Sequence, residues 1–134
     1  MIVLDTNILL VSISSKSPYH CIFEQLVKGA YELSVTTEIL MEYEEIIARK
    51  FNKEVAKDVI RTLLTLPNVK RIIVYYQWNL IKSDSDDNKF VDCAVSANAD
   101  MIVTQDKHFN VLKKVDFPSV NISSIADFKS NLLS

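Results

Sequence analysis

The chain is poor in everything that makes a polypeptide loose or cross-linked. One glycine and three prolines in 134 residues leave no composition for a Gly-rich linker or a disordered tail. The two cysteines, Cys21 and Cys93, stand alone and far apart, so neither a zinc pattern nor a disulfide framework is suggested. Two reduced thiols are what a cytoplasmic protein carries. No apolar run approaches the roughly 20 residues a spanning helix needs, and Asp5 and Asn7 interrupt the N-terminus before a signal-type apolar region can form. Internal repeats and low-complexity stretches are missing. So is a global basic footprint: a net charge of −2 means that any nucleic-acid binding relies on local patches, a metal or a second subunit.

What is present is an ordinary globular composition, 49% hydrophobic and 24% charged. The length suits one domain, 1–134, with a sizeable core. Residues 2–4, IVL, read as a short strand covered on both faces. Ser17 and Pro18 read as the N-cap and first turn of a helix reaching Lys28, with Gly29 as its stop. YELSVT alternates as a strand does. TTEILMEYEEIIARKF carries Ile39, Leu40, Tyr43, Ile46 and Ile47 at helical spacing, and KEVAKDVIRTLLTL predicts a further helix ended by Pro67 and Asn68. VKRIIVYY is the next strand candidate. SDSDDNKFVDCAVSANAD predicts a helix entered through acids, MIVTQD a strand, KHFNVLKK a short helix, SVNISS a weak strand and SIADFKSNLLS a closing helix. Strands alternating with helices imply a parallel sheet with helices on both faces, and sites in such sheets lie beyond the carboxyl ends of the strands.

Two of those strands end alike. IVLDTN and MIVTQD are apolar runs that finish in threonine and aspartate, so parallel pairing would bring Asp5 and Asp106 to one edge. Each acid also suits a plain structural role as the cap of the helix that follows. At about 100° per residue, Asp87 projects into the apolar face formed by Phe90, Val91 and Ala94, whereas Asp92 falls on the opposite, solvated side. An inward acid at a helix start is either a cap or a functional group. On the TTEILMEYEEIIARKF helix, Glu42 and Glu44 border the apolar face on opposite sides, and periodicity does not choose between them. Carboxylates gathered within a few Å repel one another unless a cation sits among them. Hard oxygen donors without cysteine or histidine point to Mg²⁺ or Mn²⁺, ions suited to phosphodiester hydrolysis.

Across MIVLDTN, TTEILMEYEEIIARKF and SDSDDNKFVDCAVSANADMIVTQDKHF the chain resembles the PIN-domain ribonucleases, within them the VapC-related toxin components of toxin–antitoxin systems. The resemblance spans nearly the whole chain, and each acid occurs in its own context. It implies a three-layer α/β/α sandwich with a central parallel sheet. Carried over position by position, it matches Asp5, Glu42, Asp87 and Asp106 to the family's acids, choosing Glu42 over Glu44; a slip in register in the acid-rich third segment would offer Asp86 or Asp84 instead of Asp87. Thr6, Asn7 and Thr104 resemble the neighbours that hold the acids and water.

The activity implied by the resemblance is metal-dependent endonucleolytic hydrolysis of RNA, with the four acids as catalytic and metal-binding residues and Mg²⁺ or Mn²⁺ as cofactor. A 3′-hydroxyl and a 5′-phosphate would result. Lys50, Lys53, Lys89 and Lys107 are candidate phosphate contacts, each also readable as a plain surface charge. The implied partners are RNA, an antitoxin protein and a second copy of the chain, with no membrane. His108 reads as a surface residue of the following helix, and neither it nor His20 receives a role. The competing class is a non-catalytic RNA- or partner-binding module of the same fold, which the full set of acids disfavours. A phosphoaspartate receiver or phosphatase is a further rival; a phosphatase wants an acid where Asn7 stands, and a receiver has no use for Glu42.

Overall fold

The computed structural model describes residues 1–134. Five strands, β1 (Ile2–Leu4), β2 (Leu33–Val35), β3 (Val69–Arg71), β4 (Met101–Val103) and β5 (Ile122–Ser123), form a sheet in the order β3-β2-β1-β4-β5. Every pairing is parallel. Between the strands run α1 (Thr6–Ile13), α2 (His20–Val27), α3 (Thr37–Lys50), α4 (Lys53–Thr65) and α5 (Asn88–Ala97), and α6 (Ile125–Leu133) closes the chain. Short 3-10 segments cover Ser85–Asp87 and Lys107–Lys114. This is the α/β/α arrangement expected from the alternation of strands and helices. Right-handed crossovers assign α1 to α4, which link strands stepping one way, to one face and α5 to the other. None of the helices is long and apolar enough to cross a membrane.

β1 and β2 are short and buried throughout; β1 is an unbroken apolar run, while β2 carries the buried Ser34 between Leu33 and Val35. A core of 28 buried apolar residues lies against them, with Leu4, Leu33, Tyr43, Phe90 and Phe109 among those sealed from solvent. Helix starts follow their caps: the Thr36 hydroxyl accepts from the Ile39 amide at 3.1 Å, Asn52 Oδ1 from Val55 at 2.8 Å and the Ser124 hydroxyl from Asp127 at 3.1 Å. Gly29 follows α2 with φ +83°, a left-handed turn that the one glycine supplies at no steric cost.

Three expectations change. VKRIIVYY is strand only over Val69–Arg71, because β3 is an edge strand beside a three-residue neighbour; Ile72 N–H donates to the Val35 carbonyl at 2.7 Å, and past it the chain has no ladder to join. The helix expected from Ser17 begins at His20, since the Ser17 hydroxyl accepts from the Tyr19 amide at 3.1 Å and holds a turn instead. The solvated face expected of Asp92 is covered, and Asp92 is only 6% exposed. The irregular stretch 72–84 lies over that side of α5, where Trp78 N–H donates to Asp92 Oδ1 at 3.0 Å. Helical periodicity identifies one apolar face but is blind to a loop that buries the other.

Candidate active site

Strand order reverses between β1 and β4, the position at which open α/β sheets form crevices. The register pairs Leu4 with Val103, so Asp5 and Thr104 leave the sheet side by side. Asp5 N–H donates to the Val103 carbonyl at 3.0 Å, and the Thr104 hydroxyl donates to Asp5 Oδ2 at 2.8 Å. Asp5 occupies the N-cap position of α1, yet its side chain makes no capping hydrogen bond. The carboxylate faces the crevice instead, 6% exposed. Burial pushes it above the ordinary aspartate value; the Thr104 hydroxyl and the Thr6 backbone oppose that shift, while the charges of Asp106 and Glu42 add to it.

Thr104 has a second task, because its oxygen accepts from the Asp106 amide at 3.0 Å. Asp106 does cap: its Oδ1 accepts from His108 N–H at 2.9 Å and starts the following 3-10 segment. Glu42 reaches the crevice from α3. Tyr43 next to it is fully buried and donates its hydroxyl to the Leu4 carbonyl at 2.6 Å, fastening α3 to the end of β1. The Thr6 hydroxyl then donates to Glu42 Oε2, and Lys89 Nζ stands 2.7 Å from Glu42 Oε1. Glu44 is exposed and turned toward α4, beside Lys53 and Lys57.

Asp87 enters from the start of α5, 9% exposed. It too sits at an N-cap position without capping, and its Oδ2 is buried with no hydrogen-bond partner. Burial raises its pKa to about 7, with further contributions from Asp106, Asp84 and Asp5. An orphaned carboxylate oxygen is costly, and a cation is the natural remedy.

The acids expected from the sequence thus come to one rim, where Asp5 senses Asp106 and Glu42, and Asp87 senses Asp106 and Asp5. The tightest grouping of candidate ligand atoms, however, is Asp84, Asp87 and His108, which lie within 4.8 Å of one another. His108 is at the surface as expected, its ring 44% exposed, but it stands close to the acids, with Nδ1 3.2 Å from Asp106 Oδ1 and 3.6 Å from Asp87 Oδ2. The signal was its place two residues after Asp106, where the cap bond turns it back toward the rim. Of the polar neighbours, Thr6 and Thr104 hold acids and Asn7 does not; it is exposed along a groove that includes Lys50 and Phe51. Of the lysines, Lys89 is committed to Glu42, while Lys50, Lys53 and Lys107 are exposed. His20 Nδ1 lies 2.8 Å from the Ser12 carbonyl, away from the acids.

The donor set suits a hard divalent ion: several carboxylate oxygens, one of them buried and unpartnered, at a rim where Lys89 offsets the charge of Glu42 and no lysine or arginine pairs with Asp5, Asp87 or Asp106. A parallel sheet with acids gathered at its switch point is the class of α/β protein that the fold and site define. Within that class the sequence profile of the family described as PIN domain matches residues 1–108, and the chain belongs to that family. Among curated proteins none matches the chain. Among solved structures it is similar to VapBC2 from Rickettsia felis, bound to a DNA fragment from its promoter, with TM-score 0.63 and 17% identity over 92% of this chain and 98% of that one. It is also similar to DNA-bound VapBC from Salmonella typhimurium, with TM-score 0.60 and 16% identity over 92% and 97% of the two chains. At such identities the likeness is one of fold.

Proposed function

We propose that this PIN-domain protein is a metal-dependent endoribonuclease and the toxin of a toxin–antitoxin pair. The observation that carries the reading is Asp87 Oδ2, a buried carboxylate oxygen without a partner, facing Asp84, Asp106 and Asp5. Asp5, Glu42, Asp87 and Asp106 would hold Mg²⁺ or Mn²⁺, which when bound lowers the pKa of a water and offsets charge on the phosphoryl oxygens.

The chain's own contribution is preorganisation. Thr104 fixes Asp5 and the Asp106 backbone with one oxygen, so both acids keep their spacing whether or not substrate is present. Thr6 orients Glu42, and Tyr43 locks the helix that carries it. Lys50, Lys53 and Lys107 are free to meet RNA phosphates along the exposed faces, with Lys89 nearest the acids. The toxin role and an antitoxin partner are supported by the two similar structures, both VapBC complexes; a homodimer and a cytoplasmic setting accompany that role, and the free thiols Cys21 and Cys93 agree with the setting.

The experiment is cleavage of a mixed RNA pool by the purified chain with Mn²⁺, with Mg²⁺ and with EDTA, alongside Asp5→Asn and Asp106→Asn. Cutting by wild type that needs the metal and is lost in both variants is the expected result. Uncut RNA under every condition, with Mn²⁺ shown to be absent from the protein, returns the chain to the rival reading of a non-catalytic binding module.

A further inference from the structure

The ring nitrogen of His108 faces the side of the acid site where the unpartnered oxygen lies. Nδ1 is 3.2 Å from Asp106 Oδ1, 3.6 Å from Asp87 Oδ2 and 3.8 Å from Asp84 Oδ2. In an octahedral shell with bonds near 2.1 Å, neighbouring donors stand about 3.0 Å apart and opposed ones about 4.2 Å. The spacing to Asp106 is close to that of neighbouring donors, and those to Asp87 and Asp84 lie between the neighbouring and the opposed values, within a side-chain shift of about 0.6–0.8 Å of the neighbouring one. They are poor hydrogen bonds by comparison. The two contacts to Asp87 and Asp84 are too long for one. The third meets an oxygen that already accepts from the His108 amide at 2.9 Å. Asp87 Oδ2 is buried and unpaired, so the cluster contains a group that itself calls for a ligand.

We propose that His108 Nδ1, with Asp87 and Asp84, is a direct ligand of the divalent cation, which makes the centre a mixed nitrogen–oxygen site. The inference rests on the proposed metal dependence and sharpens it. An imidazole donor adds little for Mg²⁺, which favours oxygen and keeps its waters, and more for each ion along the series from Mn²⁺ to Co²⁺ and Ni²⁺. The centre therefore discriminates against Mg²⁺. The cap bond between Asp106 and the His108 amide fixes the backbone from which the ring projects, so the acid that starts the 3-10 segment also places the residue that carries the nitrogen donor.

Calorimetric titration of wild type, His108→Ala and Asp84→Asn with Mn²⁺, Co²⁺ and Mg²⁺ tests this without reference to RNA. Both altered side chains are more than 40% exposed, so the variants are expected to keep the fold, which circular dichroism checks. The expected result for His108→Ala is a loss of Co²⁺ affinity of about tenfold or more with Mg²⁺ affinity changed by less than about twofold. Asp84→Asn weakens both ions. Pulsed electron paramagnetic resonance of the Mn²⁺-loaded protein is expected to show nitrogen coupling in wild type and none in His108→Ala. Equal Co²⁺ affinities together with no nitrogen coupling overturn the proposal. In that event, Mn²⁺ uptake that Asp5→Asn abolishes leaves the ribonuclease reading standing, whereas no uptake by wild type removes both.

Discussion

Lys89 holds its ammonium 2.7 Å from Glu42 Oε1 and 2.8 Å from the Asp86 carbonyl, tying α3 to the start of α5 across the mouth of the acid site. A lysine offered by the sequence as a phosphate contact is thereby an internal counter-ion, with only 12% of its side chain exposed. It occupies ground beside the acids that a cation also needs. Lys89→Met removes a like charge from the cation's surroundings, so Mn²⁺ is expected to bind about three- to tenfold more tightly in calorimetry. The same variant leaves Glu42 with Thr6 alone and should lower stability in EDTA by about 1 kcal/mol in urea denaturation. Weaker Mn²⁺ binding would show instead that the ammonium supports the site.

Asp87 carries the next prediction, because its pKa in the fold is raised to about 7 from the ordinary 3.8. The folded chain then binds a proton that the unfolded chain has already released, so this group's contribution to stability falls as pH rises from about 4 through 7 and is level above that. Asp5, raised by burial as well, acts in the same direction. In EDTA the wild type is expected to lose stability between pH 5 and pH 8. Asp87→Asn should be more stable than wild type by on the order of 2 kcal/mol at pH 8, the linkage value being discounted for screening near the rim, and by roughly a third of that at pH 5. With Mn²⁺ present the wild-type slope reverses, since the ion binds the ionised acids. Denaturant melts at the two pH values check it; a difference independent of pH would show that the Asp87 carboxyl is not strained by its surroundings.

Asp5 illustrates how far local sequence carries and where it stops. An apolar run ending in aspartate before a helix reads equally as cap or site; register decides, because pairing Leu4 with Val103 sets Asp5 against Thr104, whose hydroxyl holds the carboxylate at the rim while no capping bond to α1 forms. That the sheet is parallel was legible in the alternation of strands and helices, and the inward projection of Asp87 in the period of α5, but the order that sets β1 beside β4 was not. Glu42 and Glu44 were not separable by period, since choosing between them takes the tertiary lock of Tyr43 on Leu4. The covering of Asp92 and the approach of His108 to the acids were hidden from the sequence for a shared reason. Each is governed by a segment without periodic structure, the 72–84 stretch in one case and the cap turn at Asp106 in the other.

That 72–84 stretch is held by two polar side chains on one side of α5, a turn apart. Asn88 Oδ1 accepts from Ile81 N–H at 2.9 Å while its Nδ2 donates to the Ile81 carbonyl at 2.8 Å, and Asp92 takes the Trp78 amide. Ile81 is buried, so its backbone groups have no water to turn to. Asn88→Ala should therefore cost about 1–3 kcal/mol in denaturant melts and speed hydrogen exchange at the Ile81 amide. Because the same stretch delivers Asp84 to His108 and Asp87, Mn²⁺ affinity should weaken in parallel, although Asn88 touches none of the candidate ligand atoms. Asp92→Asn is the contrasting change. It keeps an acceptor for Trp78 and removes a charge that burial already disfavours, so stability at pH 7 should hold or rise. If Asn88→Ala melts like wild type and exchanges Ile81 no faster, α5 does not anchor the stretch, and the acids on it owe their placement to something else.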